Sequence, residues 1–170
     1  MNAMRRRLWT ATALAIALAA LSVPAVALAT ADVPLKGSDA GDFSLGASCG
    51  TNSFAVEIDG EGKATQVGRY VYEADECFNV VTLLYSGTFT MTAANGDEIN
   101  GSYSGLVIPT SDPAVARYLQ AGTFDGGTGR FAGATGNLTV DGVATFTSGS
   151  GGDYTQTLSG AIASVGSLNS

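Results

Sequence analysis

The sequence predicts an all-β protein, a single closed antiparallel β-barrel of about eight strands, preceded by a cleaved signal peptide. Seven or eight segments alternate apolar and polar residues with a period of two, and turn signals separate them at short spacings. A basic and then apolar leader indicates the signal peptide. We therefore expect a signal peptide over residues 1–31, an N-terminal arm over 32–52, a barrel domain over 53–163 and a polar tail over 164–170.

The leader predicts export from the cytoplasm. Three arginines at positions 5–7 precede an apolar segment over 11–21, and small residues at 27–29 and at 29–31 form two candidate cleavage sites. The apolar segment is short for a membrane span of about 20 residues. We predict a secreted, extracellular protein, and the sequence leaves open which of the two sites is cut.

Composition limits the classes of partner. Without residues 1–31 the chain has 5 Lys and Arg against 15 Asp and Glu, a net charge of −10. Because nucleic acid and anionic lipid would repel such a chain, we expect no nucleic-acid partner. The predicted outer faces are polar and carry no aromatic girdles, so we also expect no membrane insertion of the mature chain.

Cys49 and Cys77 are the only cysteines, and an isolated pair in an exported protein predicts a disulfide. The chain contains no histidine, so we predict neither a metal site nor a cofactor.

Alternation and turn residues place the strands. A hairpin turn is expected at Gly60–Gly62, a type I′ turn at Asn95-Gly96, and a loop at 109–113. The glycines of 122–136 indicate further turns, including a tight one at 126–127. The predicted strands are 53–59, 64–73, 79–94, 97–108, 114–124, 137–146 and 154–163. Gly101 and Gly105 lie on an apolar face, where glycines often mark barrel corners.

One face of each strand supplies the predicted interior. The inward set is Phe54, Val56, Ile58, Leu83, Tyr85, Phe89, Met91, Ile99, Tyr103, Val107, Leu138, Val140, Phe146, Leu158 and Ile162. The strand over 64–73 has two possible orientations, with either Arg69 or the tyrosines at 70 and 72 pointing inward. The surface orientation of Arg69 is favoured because most arginines are exposed. The carboxylates Glu57, Asp59, Glu73, Asp75 and Glu76 are expected at surface or turn positions.

Three motifs resemble one family. The run Gly-Gly-Thr-Gly-Arg-Phe-Ala-Gly-Ala-Thr-Gly at 126–136 is similar to a segment of the bacterial allene oxide cyclase-like barrel proteins, and the stretches 62–70 and 92–98 also match. Gln66 stands where that family often has histidine. The resemblance implies a small secreted barrel, similar in fold to plant allene oxide cyclase and to dirigent proteins. It also implies, as an alternative to a binding protein, a cofactor-independent cyclase or isomerase.

Small barrels either fill their interior with side chains or hold one ligand. The predicted pocket for a small hydrophobic molecule is lined by Tyr85, Tyr103, Tyr154, Gln156, Phe89 and Met91. Three functions remain open: a binding module, a cyclase or isomerase that uses conformational restriction, and a purely structural exported protein. No catalytic residue is assigned, and the sequence decides neither the ligand nor the oligomeric state.

Overall fold

The computed structural model describes residues 32–164, and the predicted signal peptide and most of the predicted polar tail lie outside them. Eight β-strands and one short 3₁₀ helix, Gly129–Phe131, make up this part of the chain. The strands are β1 (Val33–Gly50), β2 (Ser53–Ala64), β3 (Gly68–Asn79), β4 (Leu84–Ala93), β5 (Glu98–Pro109), β6 (Val115–Gly127), β7 (Thr135–Ser148) and β8 (Gly151–Ala163).

The strands form one closed antiparallel barrel. Each strand pairs with the next, and β1 closes the sheet by pairing with β8 from Val33 opposite Ile162 to Ser44 opposite Gly151. Closure leaves no unpaired sheet edge. The predicted eight-stranded antiparallel barrel is therefore confirmed.

The prediction of an N-terminal arm over 32–52 is wrong, because Val33–Gly50 is the longest strand of the barrel. Its inward positions include Gly37, Asp39 and Gly41, which interrupt the apolar alternation that marks a half-buried strand. Closely packed backbone explains one of these glycines, since a Cβ at Gly41 would collide with the backbone of Asp59. The barrel thus begins about twenty residues earlier than expected.

Several turns also differ from the prediction. β2 continues through Gly60 and Gly62 to Ala64, so the expected hairpin turn there is wrong. The turn at Asn95-Gly96 exists, but it is not type I′: the amide of Gly96 donates to the carbonyl of Ala93, and only Gly96 has positive φ, at 86°.

The glycine-rich run also turns later than predicted. Gly126 and Gly127 lie within β6, so the tight turn expected at these two residues is wrong. The chain reverses instead over residues 128–134, around the 3₁₀ helix.

One end of the barrel is closed. The β6–β7 connection buries Phe131 completely in the core. Arg130 of the same connection donates from Nη2 to the carbonyl of Val67 at 2.6 Å and from its backbone amide to Asp97. Because these partners lie in the β2–β3 and β4–β5 turns, the three turns of this end are tied together.

Most of the predicted interior is confirmed. The buried members of the inward set are Val56, Tyr85, Phe89, Met91, Ile99, Tyr103, Leu138, Val140, Leu158 and Ile162. Ile58 and Val107 are partly buried against this core.

Three members of the inward set are placed differently. Phe54 is 43% exposed and Phe146 is 38% exposed, since both lie near strand ends at the open end of the barrel, opposite Phe131. Leu83 lies in the β3–β4 turn, with φ of 59°. These three side chains therefore do not belong to the buried core.

The orientation of β3 is the one that the sequence favoured. Tyr70 and Tyr72 are buried and Arg69 is exposed. The outer surface is less polar than expected, because the exposed leucines Leu84, Leu106 and Leu119 are cross-strand neighbours on β4, β5 and β6.

The predicted disulfide is confirmed. Cys49 of β1 is bonded to Cys77 of β3, with 6.0 Å between their Cα atoms. Cys77 pairs with Ala55 at the start of β2, so the disulfide crosses the outside of β2 near the β1–β2 turn. Such a bond is compatible with an oxidising, extracellular environment.

Candidate functional site

A cavity of about 110 Å³ lies inside the barrel at the end opposite Phe131. This open end carries the β1–β2, β3–β4, β5–β6 and β7–β8 turns. The cavity is lined by Phe43, Leu45, Val56, Ile58, Tyr72, Glu76, Phe78, Tyr85, Val107, Ala116, Tyr118, Gln120, Ala144, Phe146, Tyr154 and Gln156. Apolar walls with a few convergent polar groups are typical of a small-molecule site.

The mouth of the cavity is apolar. Phe43 and Phe146 meet edge to face with their ring centroids 5.1 Å apart, and Phe78 and Val107 complete this rim. Phe78, Val107 and Phe146 lie within two residues of the ends of their strands at this opening. The polar lining residues Tyr72, Gln120 and Gln156 lie at least five residues from these ends. A ligand that enters would therefore pass aromatic and aliphatic side chains before it reached the polar floor.

Four tyrosines organise the floor by one repeated arrangement. Each hydroxyl reaches over an inward-facing glycine on the neighbouring strand and donates to a polar side chain on the strand beyond. The four rows are Tyr70–Gly62–Asp39, Tyr103–Gly87–Glu76, Tyr85–Gly105–Gln120 and Tyr118–Gly142–Gln156.

A side chain on the middle strand would block such a row. A Cβ at Gly105 would collide with the ring of Tyr85, and one at Gly142 with the ring of Tyr118. The sequence predicts a barrel corner at Gly105, but in the structure this glycine leaves room for the ring of Tyr85. Gly101 leaves room for the ring of Phe89 in the same way.

Asp39 is the centre of the first polar cluster. Its side chain is 5% exposed and accepts hydrogen bonds from the Tyr70 hydroxyl at 2.7 Å and from Nε2 of Gln156 at 2.8 Å. Gln156 in turn accepts from the Tyr118 hydroxyl at 3.0 Å. Burial raises the pKa of Asp39, and the hydrogen bonds from Tyr70 and Gln156, together with the nearby Tyr154 hydroxyl, oppose this rise.

Glu76 is a second inward-facing carboxylate and is partly buried. Its Oε2 accepts a 2.9 Å hydrogen bond from the Tyr103 hydroxyl. Burial raises the pKa of Glu76 to about 7, and the bond from Tyr103 opposes the shift. A carboxyl group with this pKa can hold or release a proton near neutral pH, which an ordinary glutamate cannot do.

Gln120 is a buried amide with an unused donor. Its Oε1 accepts a 3.3 Å hydrogen bond from the Tyr85 hydroxyl, and Nε2 is buried without a hydrogen-bond partner in the described part of the chain. Burial raises the pKa of the Tyr72 hydroxyl. The nearby side-chain amides of Gln120 and Gln156 partly offset this rise. The floor therefore includes an N–H group with unmet hydrogen-bonding capacity.

No family model matches this sequence, and neither a curated protein nor a solved structure is significantly similar to it. The site must therefore be interpreted from its own geometry. Among residues 32–164, no three His, Cys, Asp or Glu side chains are placed to hold a metal ion. In the same range, no helix has the length and apolar character needed to cross a membrane.

The predicted pocket residues separate into three groups. Tyr85, Tyr154 and Gln156 line the cavity. Tyr103 is buried and reaches the site through Glu76. Phe89 and Met91 are buried in the core and do not line the cavity.

The sequence analysis missed several residues of the site: Asp39, Tyr72, Glu76, Tyr118 and Gln120. The surface position expected for Glu76 is wrong, because Glu76 continues the inward series of Tyr70, Tyr72 and Ala74 at a spacing of two. Once the two tyrosines are placed inside the barrel, the same two-residue spacing predicts that Glu76 also points inward. Asp39 and Gln120 gave no such signal, because a polar residue at an inward position breaks the alternation.

Proposed function

We propose that this chain is an exported binding protein that holds a small, mostly apolar molecule in the barrel. The observation that carries the proposal is the cavity itself, with an apolar mouth and polar groups converging at its floor. The disulfide and the leader support export.

Glu76 favours a second candidate, a cofactor-independent cyclase or isomerase. A carboxyl group with a pKa of about 7 lines the cavity and could exchange a proton with a bound molecule. If the protein is such an enzyme, Glu76→Gln should abolish turnover of the natural molecule while binding remains. A purely structural role would need no ligand and no ionisable group at this depth.

Filling the cavity tests binding. The variant Ala116→Phe places a ring inside the cavity, and Ala121→Phe on the same strand places the same ring on the outer surface. We would titrate the ¹⁵N-labelled mature chain with ethylbenzene and follow backbone amide shifts by NMR. We expect saturable shifts at rim residues in the wild type and in Ala121→Phe, and none in Ala116→Phe.

The same titration can refute the proposal. If ethylbenzene gives no saturable shift in the wild type, or binds Ala116→Phe as tightly as Ala121→Phe, the cavity is not a ligand site. Native mass spectrometry of the protein from its own culture medium is complementary. An extra mass that is lost on denaturation would identify the natural ligand.

A further inference from the structure

We infer that the site selects a neutral ligand whose apolar body ends in a hydrogen-bond-accepting oxygen, such as a ketone, ester or ether, which receives a hydrogen bond from Nε2 of Gln120. This inference rests on the proposed function and specifies the class of molecule that the cavity takes. Three observations carry it: the unused donor, the charges around it and the size of the enclosed space.

The donor is the first observation. Gln120 is 8% exposed and lines the cavity, and its Nε2 makes no hydrogen bond among residues 32–164. A buried N–H without a partner is unfavourable, so a ligand that supplies an acceptor recovers the lost hydrogen-bond free energy. The Tyr85 hydroxyl donates to Oε1 of the same amide, which leaves Nε2 as the end of the amide that faces a ligand.

The charges exclude an anionic ligand head. Glu76 lines the floor, and Asp39 lies behind Gln156. Among residues 32–164, none of the five lysines and arginines lines the cavity. A carboxylate or phosphate at the floor would lose its hydration and gain no opposite charge, which is unfavourable in a buried site. The acceptor must therefore belong to a neutral group.

The size of the enclosed space limits the buried part of the ligand. The cavity of about 110 Å³ is somewhat smaller than an engineered protein cavity of about 150 Å³ that binds benzene. The enclosed portion therefore accepts about one six-membered ring or a short branched chain. A longer ligand would have to extend past Phe43 and Phe146 at the mouth.

Matched probes test the inference. Acetophenone and ethylbenzene have nearly the same shape and differ by a carbonyl oxygen, and benzoate adds a negative charge. We would measure the Kd of each by NMR titration for the wild type, for Gln120→Leu, and for Asn100→Leu as a control that makes a similar amide-to-leucine change at an exposed residue outside the cavity.

We expect Gln120→Leu to weaken the binding of acetophenone relative to that of ethylbenzene by roughly tenfold, which is the effect of losing one buried hydrogen bond. Asn100→Leu should leave that ratio unchanged, and benzoate should not bind the wild type. Continued binding of ethylbenzene to Gln120→Leu shows that the variant is folded.

The outcomes separate the two proposals. If ethylbenzene binds and the ratio does not change in Gln120→Leu, or if benzoate binds as tightly as acetophenone, the inference about ligand class is wrong and the proposed function stands. If ethylbenzene does not bind the wild type, the proposed function fails and the inference fails with it.

Discussion

The hydroxyl of Tyr103 on β5 donates a 2.9 Å hydrogen bond to Glu76 on β3, across the whole width of β4. Both residues are register partners of Gly87, and the missing side chain of this glycine opens the path between them. A Cβ at Gly87 would press against Cβ of Glu76 and the carbonyl of Asp75. The position of this inward-facing carboxylate thus depends on three adjacent strands.

Glu76 should make stability depend on pH. Its pKa rises from 4.5 to about 7 on folding. Between these values the native state binds more protons than the unfolded state, so the free energy of unfolding falls as pH rises, by up to about 1.4 kcal/mol per pH unit. We expect Glu76→Gln to remove this contribution, so that its stability relative to the wild type increases by on the order of 2 kcal/mol from pH 4.5 to pH 8.

Urea unfolding at several pH values would measure this difference. The exposed neighbour Glu73→Gln is the matched control, and its stability should follow that of the wild type across the range. A difference between Glu76→Gln and wild type that is the same at pH 4.5 and pH 8 would contradict the raised pKa.

Asp39 should stabilise the barrel through the donors that it satisfies. The change Asp39→Ala leaves the Tyr70 hydroxyl and Nε2 of Gln156 without their acceptor, and we expect it to lower the free energy of unfolding by about 2–4 kcal/mol. The exposed Asp75→Ala should change it by less than about 0.5 kcal/mol. Equal effects in a denaturant titration at pH 7 would show that the Asp39 cluster does not contribute to folding.

The disulfide should stabilise the open end of the barrel. Cys49 and Cys77 are 28 residues apart, and cross-linking a loop of this length adds roughly 3–4 kcal/mol in the chain-entropy model. The double variant Cys49→Ser and Cys77→Ser should lose this amount in chemical denaturation, and the reduced wild type should unfold at the same denaturant concentration. A loss below about 1 kcal/mol would mean that the chain-entropy model does not describe this bond.

Phe131 should be the most sensitive single position at the closed end. The ring is fully buried, and Phe131→Ala should cost about 3–5 kcal/mol through lost contacts and the cavity left behind. Phe54→Ala, at a ring that is 43% exposed, should cost much less. Thermal unfolding of the two variants gives the comparison, and similar midpoints would indicate that the 3₁₀ segment contributes little to the core.

The sequence predicted the barrel, most of its buried apolar side chains and the disulfide. Alternation is a reliable signal where inward residues are large and apolar, as for Phe89 and Met91 in β4. It failed in β1, whose inward positions carry Gly37, Asp39 and Gly41. When the inward positions of a strand carry glycines and a hydrogen-bonded carboxylate, the sequence shows no alternation of apolar and polar residues.

The polar floor could not be predicted for a different reason. Each hydrogen bond donated by a tyrosine of the floor joins strands that are not neighbours, such as Tyr85 on β4 and Gln120 on β6 with Gly105 between them. A shift of one residue in either pairing would turn one of these side chains to the other face. The register between strands is fixed by the closed sheet as a whole, so it cannot be predicted from the residue pattern of any single strand.

The pairing of Val33 with Ile162 also has a practical consequence. Both ends of the described chain leave the barrel beside Phe131, and the mouth lined by Phe43 and Phe146 faces the opposite way. A linker from Ser164 to Asp32 would allow circular permutation, with new termini in the β7–β8 turn at 149–150. Conversely, immobilising the natural protein through either end would orient every molecule on a sensor surface with its opening toward the solution.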